Sequence, residues 1–285
     1  MYDPQQPRSW LDHGVACLSE AAWVLWLLGY PDQALRRSDE MLTLAQELSH
    51  PFSFAYALFF ASGLHQLRRE TQAAHERAEA AITLSTEQGF PTWLANGMVL
   101  QGWALAEQGE RGESIAQIRE GLAAHQAMGE ELLRPYFLAL LAEAYGKAEQ
   151  IEDGLTVLAE ALVVLDKNGE HFYEAELYRL QGTLTLKQAE VRGPQSGVPN
   201  TQHPTPRTHA EAEAEAYFVK AIDLARQQQA KSWELRAVMS LSRLWQQQGK
   251  RGEARRMLAE IYSWFTEGFA TADLQEARAL LAELS

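Results

Sequence analysis

The chain has 285 residues, 46% of them hydrophobic and 22% charged, with 38 acidic against 25 basic side chains and a formal net charge of −13. That is enough apolar mass for a sizeable core, and a surface this acidic repels a phosphate backbone, which sets aside direct DNA or RNA binding. The longest apolar run, Ala21 to Leu28, is too short to cross a bilayer. The start of the chain, Met1 to Trp10, is polar and carries two prolines, unlike a signal peptide. The one cysteine, Cys17, lies among apolar neighbours with no partner for an internal disulfide, so a reducing cytoplasm is the expected setting.

In chain order, the punctuation predicts helices and nothing else. Pro31, Pro51, Pro91 and Pro135 each open an apolar-periodic stretch, as proline does in a first helical turn. Gly29, Gly109 and Gly249 mark turns that need left-handed backbone. The predicted helices are 11–28, 32–48, 52–68, 71–88, 91–108, 111–128, 131–148, 152–168, 171–188, 210–229, 231–248 and 251–266. Residues 191–209, VRGPQSGVPNTQHPTPRTH, hold four of the ten prolines and few apolar side chains, and are expected to form a flexible surface loop inserted between two helices. A tether is its expected role, with a recognition segment as the alternative. A last helix, 272–284, puts Leu274, Ala277, Leu280, Leu281 and Leu284 on one stripe and should cap an open end.

Six small residues, Ala22, Ser62, Gly102, Ala142, Gly182 and Ser242, recur at intervals of 40, 40, 40, 40 and 60. A second series, Ala34, Ala74, Ser114, Gly154, Ala214 and Ala254, follows the first by 12 residues in every repeat except the one holding the insertion. Two antiparallel helices need small residues where their backbones approach, and a period near 40 means helix pairs stacked on their neighbours. The fold class expected is all-α: one domain over 1–285, a right-handed superhelical solenoid of about six tetratricopeptide-like helix pairs, closed by the C-terminal helix. The insertion falls in the fifth pair.

Motifs for chemistry are missing from the sequence. It has no GxxxxGK[ST] loop, GxGxxG, HExxH, CxxC or GxSxG. His171 with Glu174, and His75 with Glu79, sit at helical spacing but give two ligands where a metal site wants three or four. Glu130 and Glu131, or Glu211, Glu213 and Glu215, read as first-turn charges favoured by the helix dipole rather than as an acid–base pair. No catalytic residue, cofactor or metal is therefore expected.

The small residue at the eighth position of each first helix, the glycine seven later (Gly29, Gly109) and the small residue twelve later (Ala34, Ala254) resemble the tetratricopeptide repeat. The period is longer than that repeat's usual ~34 residues, and Arg69 and Glu149 stand where a turn glycine is expected. The stretches AAWVLWLLGYPDQAL (21–35), RPYFLALLAEAYG (134–146), FYEAELYRLQG (172–182) and AKSWELRAVMSLSRLWQQQGKRGEAR (230–255) resemble the C-terminal repeat region of bacterial signal-transduction ATPases. That resemblance implies a regulatory arm following an ATPase module, often with a nucleotide cyclase before it. It also takes in ligand-responsive transcriptional activators of the same superfamily. No ATPase or cyclase residue can be carried over, since those modules are not in this sequence.

In such a stack the first helix of each pair lines the inner, concave side. The expected partner-binding residues are Trp23, Trp26, Tyr56, Phe59, Asn96, Trp103, Tyr136, Glu143, Glu176, Arg179, Arg236 and Arg243. Aromatics dominate early and arginines late, so a groove could anchor a peptide by rings and orient it by charge. Any single tryptophan has an inter-repeat core role as its competing reading. The expected function is a non-catalytic, cytoplasmic interaction and regulatory module that binds a protein or peptide, including the ATPase portion of a longer parent. Sensing of a small molecule in the same groove is the alternative.

Overall fold

Thirteen α-helices and one 3-10 turn make up residues 11–192 and 206–285, the part of the chain that the computed structural model describes, with no strand among them. The repeat ladder suggests one domain over 1–285; the packing resolves two compact units, the first running to Glu131 and the second from Leu132 to Ser285. Each is a stack of antiparallel helix pairs of tetratricopeptide-like type.

The first unit holds α1 (His13–Leu27), α2 (Pro31–Glu47), α3 (Pro51–Leu67), α4 (Thr71–Gln88), α5 (Pro91–Gln108) and α6 (Arg111–Ala127). Proline occupies the first turn of α2, α3 and α5, where its missing N–H costs nothing. Gly29 and Gly109 take the left-handed conformation the turns require, at φ 91° and 96°. The two helices of a pair differ in how they are buried. On α2 the buried residues Ala34, Ser38, Met41, Leu42 and Ala45 form one stripe, whereas α3 is buried on nearly every side. The first helices α1, α3 and α5 touch one another as well as their partners, so they are flanked by protein on more than one face.

The small-residue ladder marks the seam inside each pair. Ser62 Oγ on α3 donates to the Ala74 carbonyl on α4 at 2.8 Å, 12 residues along. On α5, Gly102 lies so close to α6 that a Cβ would sit 2.6 Å from Ile118 Cγ1 and 2.9 Å from the Ser114 carbonyl oxygen.

The second unit holds α7 (Arg134–Lys147), α8 (Ile151–Asn168), the 3-10 turn His171–Tyr173 running into α9 (Glu174–Arg192), α10 (Pro206–Gln227), α11 (Lys231–Gln247), α12 (Arg251–Tyr262) and α13 (Ala272–Glu283). Its seams repeat the pattern. A Cβ on Gly182 would lie 2.7 Å from Phe218 Cε1 and 3.1 Å from the Ala214 carbonyl, and Ser242 Oγ reaches the Ala254 carbonyl at 3.4 Å. Leu274, Ala277, Leu280 and Leu284 close this core, with Leu281 packed partly against it.

Several boundaries differ from expectation. Helix α7 starts at Arg134 rather than 131, because Leu133 adopts a left-handed conformation (φ 63°) and donates its N–H to the Glu170 carboxylate at 2.8 Å. Helix α12 stops at Tyr262, and the turn that follows returns Phe265 to the core. Helices α9 and α10 run into the expected insertion from both sides, to Arg192 and from Pro206; the rest of that predicted loop lies outside the described residues. Arg69 and Glu149, in the place of turn glycines, take the glycine-like conformation at φ 61° and 63°. Cys17 faces solvent rather than the apolar side chains beside it in sequence. No described helix is long and apolar enough to cross a membrane.

Candidate functional site: the first-helix layer

In the first unit the expected groove residues are core residues. Trp23, Trp26, Tyr56, Phe59, Asn96 and Trp103 all lie between 0% and 7% exposed. Positions near the small residues of a first helix meet the adjacent first helix, so large rings there fill the space between helices instead of lining an open surface. Trp23 donates its Nε1–H to the Phe60 carbonyl at 3.0 Å, and its ring sits against Gly63, which leaves room for it. Tyr56 Oη shares a 2.8 Å hydrogen bond with Ser19 Oγ, and burial raises its phenol pKa.

Beside these rings lie others that the sequence reading passed over. Phe60 stacks on Tyr56 at 4.4 Å, while Trp93 meets Tyr56 edge-on at 5.1 Å and Phe52 at 5.7 Å. Phe52, Phe60 and Trp93 keep part of their surface exposed. Two polar atoms on α5, Trp93 Nε1 and Asn96 Oδ1, are buried with no hydrogen-bond partner among the described residues. Leaving a buried donor or acceptor unmade costs about 1–3 kcal/mol.

In the second unit five expected residues do come together, on α7, α9 and α11. Arg179 binds Glu176 through two hydrogen bonds of 2.7 Å, Nε to Oε2 and Nη2 to Oε1. Glu143 lies 3.9 Å from Arg179 Nη2, and Arg236 Nη1 lies 3.8 Å from Glu176 Oε1. Arg236 also donates from Nε to Asp273 Oδ2 at 2.8 Å, which ties α11 to α13. Tyr136 packs against Tyr173 at 4.9 Å, and Tyr173 against Trp233 at 4.9 Å. Glu176 is 1% exposed, whereas the Arg179 and Glu143 side chains, at 17% and 18%, reach solvent.

Electrostatics in this cluster follow from burial opposed by pairing. Burial works against the charge on Arg179, yet the Glu176 carboxylate outweighs it, with Glu143 adding, and drives the guanidinium pKa up. Burial pushes both the Tyr136 and Tyr173 phenols well above their ordinary value, so both are neutral hydroxyls at physiological pH. Arg179, Arg236 and Arg243 each face a carboxylate, the last through a 3.0 Å pair with Glu276. Arg243 stands apart from the cluster and lines a depression of about 360 Å³ with Gln246, Gln247, Glu276 and Glu283.

Tyr173, Trp233 and Asp273 were not anticipated. The ladder holds the signal for two of them, since Trp93, Tyr173 and Trp233 each precede by three residues a position already singled out, Asn96, Glu176 and Arg236. Tyr173 is 1% exposed, and its hydroxyl oxygen has no hydrogen-bond partner among the described residues. Arg179 uses Nε and Nη2 on Glu176. A guanidinium partly open to solvent suits the recognition of a carbonyl or carboxylate oxygen. His171 and Glu174 form an exposed 2.8 Å surface pair, and among the described residues no group of three or more His, Cys, Asp or Glu is placed to hold a metal.

No family model matches the chain. An uncharacterized protein of Rhizobium meliloti (strain 1021) is 22% identical over 179 residues, covering 63% of this chain, and the chain spans only 17% of that relative's length. Among solved structures, a Rap protein complexed with competence and sporulation factor aligns over 95% of this chain and 74% of its own, with a TM-score of 0.61 and 7% identity. NprR in complex with its cognate peptide NprX aligns over 96% and 72%, with a TM-score of 0.61 and 13% identity. The apo form of RapI covers 95% and 86%, with a TM-score of 0.55 and 13% identity. These likenesses show a tetratricopeptide-like helical-repeat fold.

Proposed function

We propose that this chain is a non-catalytic, peptide-binding regulatory module. The observation that carries the reading is the Glu176–Arg179 pair: a guanidinium fixed from below by a buried carboxylate and itself partly open to solvent. Such a group has its geometry set before a ligand arrives, which limits the entropy lost on binding. A peptide carbonyl or carboxylate completes it, and Tyr136, Glu143, Arg236 and Arg243 extend the proposed contact surface along the same helices. The similar NprR structure, which holds its cognate peptide, supports this class of ligand. A place as the regulatory arm of a longer signalling ATPase is the finer reading, supported by the four stretches quoted above and by the far greater length of the curated relative. Small-molecule sensing is the second reading, and the depression beside Arg243 is the feature that favours it, being of ligand-pocket size.

The test is a selection of short random peptides against the chain, followed by fluorescence polarisation on the parent and Arg179→Gln. A saturable peptide whose affinity falls about tenfold or more in the variant upholds the reading. A selected peptide that binds Arg179→Gln as tightly as the parent removes the contact surface named here, and no saturable peptide at all removes the function.

A further inference from the structure

Antiparallel pairing puts the turn after α2, the turn after α4 and the end of α6 at the same end of the first unit. Side-chain contacts tie the three together. Phe52, in the first turn of α3, meets Phe90 edge-on at 5.3 Å and Trp93 at 5.7 Å across the gap to the α4–α5 turn. Thr92 Oγ1 then lies 3.8 Å from Met128 Sδ at the end of α6. The strip so formed is apolar and open. Leu48 and Met128 are 39% and 36% exposed, and Phe52, Phe90 and Trp93 keep part of their surface in solvent. Large apolar side chains exposed in one contiguous strip mark an interaction surface.

The backbone under the strip is set before any partner arrives. Main-chain hydrogen bonds close each turn: Ser49 N–H to the Gln46 carbonyl at 3.0 Å, Phe90 N–H to the Ser85 carbonyl at 2.9 Å, and Gly129 N–H to the Gln126 carbonyl at 3.0 Å. Charge then selects the occupant. Glu47, Glu87, Glu130 and Glu131 lie in these turns, and none of residues 46–53, 86–94 or 126–131 is Lys or Arg. Asp12, whose main-chain N–H donates to Ser53 Oγ at 3.0 Å, adds a further carboxylate at this end. An acidic partner is repelled here and a cationic one is attracted. Neighbouring turns stand about 10 Å apart, as packed helices do, so the strip runs for about 20 Å, the length of about 13 helical residues.

We infer that this strip docks a basic amphipathic helix of a partner protein. The helix lays its apolar stripe on Leu48, Phe52, Phe90 and Met128, and its lysines or arginines reach the carboxylates in the turns. The surface shares no residue with the Arg179 group and stands whether or not a peptide binds there.

The probe is a leucine–lysine peptide of about 18 residues with its leucines on one helical stripe, and a leucine–glutamate peptide of the same pattern is the control. Fluorescence polarisation against the intact chain should show saturable binding of the lysine peptide alone, weakening as salt rises. Amide hydrogen exchange should slow at residues 48–53, 89–94 and 127–130. Leu48→Ser with Met128→Ser should weaken binding about tenfold, as should Glu47→Lys, Glu87→Lys and Glu130→Lys together. All five side chains reach solvent, so both variants should keep the parental circular dichroism spectrum. The same charge change at the exposed Glu76, Glu79 and Glu113, in the N-terminal halves of α4 and α6, should leave affinity within about twofold. Equal losses from the two charge sets, or protection spread along the outer faces of α4 and α6, would reduce the effect to the overall charge of −13 and overturn the docking site. A lysine peptide that binds the Leu48/Met128 variant at parental affinity, or that does not bind the parent saturably, overturns it equally.

Discussion

Replacing Gly102 by alanine puts a number on the seam between paired helices. The new Cβ would sit 2.6 Å from Ile118 Cγ1, 2.9 Å from the Ser114 carbonyl oxygen and 3.1 Å from the Ile118 nitrogen. Two of those three atoms are backbone, so no rotamer change relieves the clash and α5 must shift against α6. Overpacking of this kind costs about 1–3 kcal/mol. Against it stands the better helix propensity of alanine, worth up to ~1 kcal/mol, so the net effect is a loss of roughly 1 kcal/mol. Gly112, on the facing helix α6, has no atom within 4 Å of its would-be Cβ. Gly112→Ala therefore keeps the propensity gain without the clash. The two variants should differ by about 2 kcal/mol, a gap of roughly 4–8 °C in melting temperature by far-UV circular dichroism. A Gly102→Ala protein that melts at or above Gly112→Ala would refute the close approach and the repeat alignment built on it.

The remaining predictions concern charge and core. Burial raises the Glu70 carboxyl, but hydrogen bonds from His65 (2.6 Å) and Arg68 (2.9 Å) outweigh it and hold the pKa at about 2 against an ordinary 4.5. Because the folded value is depressed, the stabilisation is complete above pH 4.5 and is lost as pH falls from there through about 2. The difference in urea midpoint between parent and Glu70→Gln should close over that window, and a difference that stays constant down to pH 2 would contradict the pairing. Trp103, 2% exposed, should act through the fold: Trp103→Ala is expected to cost about 3–5 kcal/mol in chemical denaturation, and a variant of parental stability would return it to the surface.

Much of the fold could be read from the sequence because its signals are local. Proline at a first turn, a left-handed glycine and two small residues twelve apart each constrain one or two turns of helix, and the Ser62–Ala74 and Ser242–Ala254 hydrogen bonds realise that spacing directly. The candidate site was harder. Helical periodicity tells which residues share a face but not what covers it, and Trp23, Tyr56 and Trp103 lost their expected exposure to neighbouring helices. The partners of the arginines are hidden for a related reason. Arg236 finds Asp273 37 residues away on α13, a pairing that no local pattern announces. The orphan atoms Trp93 Nε1 and Asn96 Oδ1 are invisible in sequence, since only coordinates show that a polar group lacks a partner.

Ser49, Arg69, Leu133, Glu149 and Gln229 all have φ between 50° and 63°, in turns where glycine would adopt that backbone freely. Each side chain held there carries about 1–2 kcal/mol of backbone strain, and the five together approach the whole net stability of an ordinary domain, roughly 5–15 kcal/mol. In a stack where each pair answers mainly to its neighbours, such strain stays local. Individual joints can therefore be loosened or tightened one residue at a time while the helix faces on either side remain the same.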